Sequence, residues 1–306
     1  MKNRTVLSLI LSLILSSSLY SQQIADTTFN PSIPKPEYAR GMGPVVYIDE
    51  GHNNFHTSTG RYLPFARLLR ADGYKVKDFG GEFTNPIVGD AGIIVIANAL
   101  NMINIQNWYL PTPSAFTPAE ITTLKKWVRD GGSLFVIADH MPFGGAASDL
   151  AAAFGFSFTN GFALDTAAPG PSFFYRKDNA VLSCSITNGR NESEKVSKVV
   201  TFTGQAIRGP SEAIPIIVFD KRYLLLESDT AWVFNSKTKY SGINGWFQGA
   251  CMKFGKGRIV MFGEAAMFTA QLAGPNQARV GMNSDYAEEN YKLLLNIIHW
   301  LDRKFE

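Results

Sequence analysis

The chain has 306 residues, of which 45% are hydrophobic and 18% charged. That is enough to bury a sizeable core in one large domain, or in one domain carrying an insertion. A formal net charge of +3 excludes a nucleic-acid footprint and a polybasic membrane patch.

The first residues read as an export signal. Lys2 and Arg4 precede the apolar run Val6–Leu15, and Ser16, Ser17, Ser18 and Ser21 follow it. Positive start, short apolar run and small residues are the layout of a cleaved signal peptide, with the cut expected after Ser21. The run falls short of the roughly 20 residues that span a bilayer, so no stable membrane anchor is expected. The mature protein is expected in the periplasm or outside the cell. Residues 22–43, with Pro31, Pro34 and Pro36, read as an extended lead-in, and 44–306 as a single α/β domain.

Within that domain strands and helices alternate. Val45–Ile48 is a short apolar strand. Leu63–Leu69 has helical spacing and stops near Gly73, and Tyr74–Phe79 alternates as a strand. Ile93–Ala97 is apolar throughout, as in a strand buried on both faces. Thr117-Pro118-Ala119-Glu120 carries an N-cap, a proline in the first helical position and the glutamate of a capping box. The helix it opens ends at Gly131-Gly132. Leu134–Ala138 is a further buried strand, and a helix over about Ala147–Phe154 follows.

The order strand–helix–strand–strand–helix–strand–helix builds a mostly parallel sheet with helices on both faces. The second half is richer in strands: Val199–Phe202, Ile214–Phe219, Tyr223–Leu226, Phe247–Phe254 and Arg258–Phe262. Gly255-Lys256-Gly257 forms a hairpin between the last two. Ala287–Leu301 is a closing amphipathic helix. The polar stretch 159–195 reads as a long loop or small insertion.

Three of the four histidines lie in two motifs that directly follow predicted strands. One is Asp49-Glu50-Gly51-His52-Asn53-Asn54-Phe55-His56-Thr57; the other is Asp139-His140-Met141-Pro142-Phe143-Gly144-Gly145. A third strand end carries Glu264. Parallel strands put their carboxyl ends on one edge, where α/β sheets bind ligands. The candidate catalytic residues are therefore His140 as general acid or base, Asp139 orienting it and His52 as its counterpart, with Glu50, His56 and Glu264 behind them.

Plainer roles fit several of these groups. His56 can bond loop backbone, Asp49 can cap the turn, and Glu264 can serve a backbone amide. The same residue types also suit a divalent metal such as zinc, with His52, His56, Asp139 and His140 as ligands. No cofactor is otherwise implied. His299, between Ile298 and Trp300, reads as structural. Cys184 and Cys251 lie in no C-x-x-C motif and read as structural, free or paired.

The segments 49–57, Phe-Thr-Pro-Ala-Glu-Ile (116–121) and 131–146, together with Thr-Phe-Thr-Gly (201–204) and Asn-Ile-Ile-His-Trp-Leu (296–301), resemble secreted proteins carrying the domain of unknown function DUF4350. The resemblance runs from about Val45 to Leu301. It implies a class I glutamine-amidotransferase-like fold of the ThuA-like kind, a flavodoxin-like three-layer sandwich. Amidotransferases place a cysteine on a sharp strand-to-helix turn, with His and Glu near the chain's end. Here the corresponding turn at Asp139–Gly145 has no cysteine, and Glu264 has no histidine beside it, so glutamine hydrolysis is not expected.

Two functions remain open at the level of sequence. One is an exported enzyme acting on a carbohydrate or other polar substrate by hydrolysis or elimination, with aromatic residues such as Trp108, Tyr109, Phe143, Phe173, Phe174, Tyr175 and Trp246 lining a sugar cleft. The other is a non-catalytic module of the cell envelope that binds a glycan or a protein. The expected partner is a small molecule or oligosaccharide; oligomeric state is not encoded in any motif.

Overall fold

Apolar runs too short for helices pair side by side, and the helices between them cover the two faces this creates. The computed structural model of the protein describes residues 23–84, 88 and 91–306. The expected signal peptide over 1–21 lies outside the described residues.

In chain order the elements are β1 (Gln23–Ala25), β2 (Val45–Asp49), α1 (Leu63–Ala71), β3 (Lys75–Phe79), β4 (Ile93–Ala97), α2 (Pro118–Asp130), β5 (Ser133–Ile137) and α3 (Phe143–Ala153). Then follow β6 (Ser157–Phe158), β7 (Phe162–Asp165), β8 (Ser172–Tyr175), α4 (Ser185–Asn188), β9 (Lys198–Thr201), β10 (Ile207–Arg208) and β11 (Ile214–Val218). The chain closes with β12 (Tyr223–Glu227), β13 (Lys239–Gly242), β14 (Phe247–Phe254), β15 (Gly257–Phe262), β16 (Ala270–Ala273), β17 (Ala278–Gly281) and α5 (Asn290–Leu301).

Nine strands make the main sheet, in the order β3-β2-β4-β5-β15-β14-β10-β6, with β11 also on β14. The first five are mutually parallel. β14 reverses direction through the hairpin, and β10, β11 and β6 continue antiparallel. In order of succession the parallel strands stand 2-1-3-4-5, an arrangement of doubly wound sheets whose crevice opens where the strand order reverses. That point lies between the carboxyl ends of β2 and β4.

Alternate residues of the parallel strands enter two separate cores. Val46, Ile48, Val95, Phe135 and Val260 pack with Phe65 and Leu69 of α1 and Leu293 and Ile297 of α5. Ile94, Ile96, Leu134, Val136 and Met261 pack with Leu124 and Val128 of α2 and Leu150 of α3. The two-residue period of a strand produces this division, and truncating a buried aromatic such as Phe135 should cost about 3–5 kcal/mol.

The expected helix start at Thr117 is present in full: Thr117 Oγ1 accepts from the Glu120 amide while Glu120 accepts from the Thr117 amide. α3 begins at Phe143, four residues before the expected Ala147. Gly144 and Gly145 suggest a turn, but they lie inside the helix. Cβ atoms there would collide with Gln205 and Thr112, so close packing requires these glycines. The lead-in contributes β1, which pairs with β16, and 159–195 contains β7, β8 and α4.

Candidate functional site

Strand register assembles the rim. Ala97, Ile137 and Phe262 lie side by side across β4, β5 and β15. Asp139 and Glu264 therefore each stand two residues beyond a paired position on neighbouring parallel strands, and Asn98 stands one beyond on the other side. Parallel neighbours are about 4.8 Å apart, so these polar groups share one edge.

The β2–α1 loop is stitched to that edge. Asp49 Oδ1 accepts from the Gly51 amide (3.2 Å) and lies 2.8 Å from His52 Nδ1; Asp49 Oδ2 accepts from Asn54 Nδ2 (2.9 Å). The Phe55 amide donates to the Asn98 carbonyl at 2.9 Å, and the Leu100 amide to the His52 carbonyl at 2.9 Å. Glu50 Oε1 accepts from the Ser58 amide at 2.6 Å. Asp49 and Glu50 thus organise the loop.

His52 requires a correction to its expected role. Its Nε2 lies 2.8 Å from Glu120 Oε1 and its Nδ1 is held by Asp49. The ring stacks on Phe83 at 4.9 Å and packs against Phe116 at 4.7 Å, on the α2 side of the sheet. With both nitrogens committed to carboxylates, His52 has none left for proton exchange with His140. Burial works against its charge, but Asp49 and Glu120 outweigh burial and raise its pKa above the ordinary 6.5. His52 clips a loop to a helix.

His56 lies on the opposite, α1 side, its ring 4.7 Å from that of Tyr62. The three histidines therefore do not meet in one cluster. Asn98 Oδ1 accepts from the Asp139 amide at 2.8 Å, so Asn98 Nδ2 is the donor to His56 Nδ1 at 3.1 Å. His56 then carries its proton on Nε2. Burial, with the charge of Arg61, lowers its pKa to about 3, leaving it neutral.

Glu264 is fully buried. Its oxygens accept from the Ala266 amide (2.9 Å) and the Met267 amide (2.8 Å). Burial, then the Asp139 charge, push its pKa well above 4.5 despite those amides. The charge of Asp139 thus disfavours ionisation of Glu264 on the neighbouring strand end. Tyr62, whose hydroxyl donates to the Ala265 carbonyl at 3.2 Å, lines the same spot. Gly204, in the Thr-Phe-Thr-Gly stretch, has φ +103°, and a Cβ there would strike the Gly263 carbonyl. That close approach lets Gln205 donate from Nε2 to the carbonyls of Ala138 and Asp139, both at 2.8 Å, fixing the β5 strand end.

His140 occupies an aromatic slot. Its ring stacks on Phe162 at 4.5 Å and meets Trp232 edge-on at 4.6 Å, with Phe143 at 6.0 Å and Trp108 at 6.2 Å. Nδ1 lies 2.7 Å from the Met141 carbonyl, which can only accept. Nδ1 therefore bears the proton and Nε2 presents a lone pair. Nε2 has no partner among the described residues. The loops carrying Trp108 and Trp232 are joined by the Ala231 amide, which donates to the Trp108 carbonyl at 2.7 Å, and by a Tyr109–Thr230 bridge.

No family model matches the chain, and no curated protein matches it. Solved structures are similar in fold. The N-terminal domain of mmIFT52 superposes with a TM-score of 0.59 at 15% identity, covering 84% of this chain and 97% of that one. A ThuA-like protein from Bacteroides uniformis gives 0.47 at 12% identity over 90% of this chain and 95% of that one. A GMP synthase-like protein from Thermoplasma acidophilum gives 0.42 at 11% identity over 86% and 95%. At such identities the likeness concerns the fold alone, a mixed α/β arrangement around a large, mostly parallel sheet.

Of the residues expected at the site, His140, Asp139, Glu264 and His56 lie along the rim, while His52 and Glu50 hold the loop beside it. Among the described residues, no group of three or more His, Cys, Asp or Glu side chains is placed to hold a metal ion. The proposed set His52, His56, Asp139 and His140 is divided between the two sides of the sheet. Cys184 and Cys251 are both buried and free. Among the aromatic residues expected to line a cleft, Trp108 and Phe143 pack beside His140. Phe174 is core, 5.4 Å from Tyr223, and Trp246 lies beneath the Arg208 guanidinium. Trp232, Phe162, Asn98 and Arg61 escaped sequence reading. Only Arg61, a cation just before a helix with no acid in its first turn, left a trace in the sequence pattern.

Proposed function

We propose that the protein is an exported enzyme whose rim handles a carbohydrate or similar polar ring compound, with His140 Nε2 as general base. The observation that carries this reading is the tautomer: the Met141 carbonyl holds the proton on Nδ1 and leaves a basic nitrogen in a slot walled by Phe162 and Trp232. Aromatic faces suit the apolar face of a sugar ring, and a positioned imidazole is the commonest proton acceptor in catalysis. Hydrolysis and elimination can each start from a base so placed. No cofactor is needed for such chemistry.

In this reading the chain is a secreted ThuA-like protein of the DUF4350 kind, folded as a flavodoxin-like three-layer sandwich. The two cores on either side of the 2-1-3-4-5 sheet support the layering, and the sequence motifs support the family. A cleaved signal peptide ending near Ser21 supports export.

The test is turnover of a panel of glycosides and polysaccharides by wild type and His140→Gln. General-base catalysis predicts a loss in kcat of about 10²–10⁴-fold. Undiminished turnover in the variant refutes the assignment. Binding of glycans by wild type with no turnover on any member favours the alternative, a non-catalytic envelope module using the same aromatic slot.

A further inference from the structure

We propose that Arg61, where the β2–α1 loop enters α1, is the principal contact for an oxyanion carried by the ligand, a carboxylate or a sulfate or phosphate ester. The proposal rests on reading the rim as a ligand site, and is independent of catalysis by His140.

Arg61 is an arginine without an anion. Its guanidinium lies 3.9 Å over the Phe55 ring. Stacking uses the flat face of the group and leaves its edge of N–H donors free. Among the described residues no carboxylate lies within ion-pair distance of Arg61. Its Nε is buried and has no hydrogen-bond partner. Arg190, Arg222, Arg258 and Arg279, by contrast, face carboxylates, and Arg67, Arg70, Arg176 and Arg303 donate to backbone carbonyls. A buried donor left unpaired is costly unless something else completes it.

Two further features point the same way. α1 starts immediately after Arg61, with Tyr62 at its cap, no side-chain cap bond and no acid in its first turn. The Thr57 and Gly60 carbonyls cap the Tyr62 and Leu63 amides and Pro64 has none, so that turn carries no acidic side chain to offset the arginine's charge. His56, only 3% exposed, contributes a second unanswered donor, because Asn98 fixes its proton on Nε2. The charge of Arg61 is close enough to disfavour protonation of that ring. An oxyanion would satisfy the Arg61 and His56 donors together. Through Phe55 the arginine adjoins the His140 slot: Phe55 lies 5.3 Å from Trp108 and 5.5 Å from Phe143, and both flank His140.

The experiment is calorimetric and thermal-shift titration of the full chain with D-glucuronate, D-glucose, sulfate and chloride at fixed ionic strength. Wild type should bind glucuronate or sulfate at least about tenfold more tightly than the neutral or monovalent control, the worth of one charged hydrogen-bonded contact. Arg61→Gln should erase that preference; Arg61→Met, which keeps the apolar stem on Phe55, serves if the glutamine variant does not fold. A response to glucuronate but not sulfate identifies a carboxylate ligand, and the reverse identifies a sulfate or phosphate ester. His140→Gln should keep the anion preference even if it abolishes turnover, so the two readings fail separately. No preference for either anion in wild type, or a preference that survives loss of Arg61, overturns the proposal.

Discussion

Glu120 Oε1 reaches across 68 positions of sequence to His52 Nε2 at 2.8 Å, joining the first turn of α2 to the loop after β2. Burial alone would raise the Glu120 pKa, but the Thr117 amide and hydroxyl, His52 and the Phe83 amide outweigh it and hold the carboxyl at about 2. His52, flanked by two carboxylates, moves the other way. The signs follow. Glu120 contributes stability that is present above about 4.5 and lost as pH falls toward about 2. His52 contributes stability present below about 6.5 and lost as pH rises through its raised value. Removing one partner of a buried pair costs about 3–5 kcal/mol. Urea unfolding of Glu120→Ala between pH 3 and 9, a range of about six units around the two ordinary values, should show that loss near the middle and a flatter profile at both ends. A variant profile running parallel to wild type would refute the clip.

Asp72 performs a comparable task at the opposite edge. Its Oδ2 lies 2.6 Å from His299 Nε2 and its Oδ1 accepts the Glu37 amide at 2.9 Å. One buried carboxylate thus ties α5 and the segment before β2 to the end of α1. Asp72→Ala should cost about 3–5 kcal/mol. It should also release the 26–43 segment, so trypsin should cut after Arg40 sooner than in wild type. Unchanged cleavage kinetics at Arg40 would show that the segment is held by its apolar contacts alone.

These two clips show what a sequence can and cannot disclose. The strands Ile93–Ala97 and Phe247–Phe254 were legible to the residue, because continuous apolar runs have few alternatives. The capping box at Thr117 was legible as a helix start, yet its glutamate also receives His52, a partner set by how α2 packs over β2. The placement of Asp139, His140 and Glu264 at strand ends could be read from motif position. That His52 and His56 fall on opposite sides of the sheet could not. The loop between them contains Asn53 in the left-handed region at φ +49°, and a single such residue redirects the chain. Trp232 escaped notice for a related reason: it lies far along the chain in an irregular loop, and only the bridge to Tyr109 brings it over His140.

Trp232 has φ +66°, a conformation that costs a bulky residue of order 1–3 kcal/mol. Glycine accepts that backbone freely. Trp232→Gly should therefore leave stability within about 1 kcal/mol of wild type, the lost packing offset by relieved backbone strain, while weakening ligand binding in the slot. Urea unfolding and glycan titration of wild type and Trp232→Gly check both effects; unchanged affinity would remove Trp232 from the slot.

The Asp139–Glu264 pair yields the sharpest sign. Burial and the charge of Asp139 push the Glu264 pKa well above 4.5. A carboxyl raised in the folded state binds more protons folded than unfolded, so its contribution is present below about 4.5 and falls as pH climbs toward the raised value. Asp139→Asn keeps an oxygen for the His140 amide, which Asp139 Oδ1 accepts at 2.8 Å, while removing the charge. The Glu264 pKa should fall, and the alkaline loss of stability should shrink by about 1.4 kcal/mol for each unit of coupling removed. In a Glu264→Gln background the same Asp139→Asn change should have no such effect on the pH slope, since the titrating partner is gone. Chemical unfolding of the four proteins across neutral pH measures both slopes. If Asp139→Asn alters the slope equally in both backgrounds, the two carboxyls do not share a proton equilibrium, and Glu264 becomes only an acceptor for the Ala266 and Met267 amides.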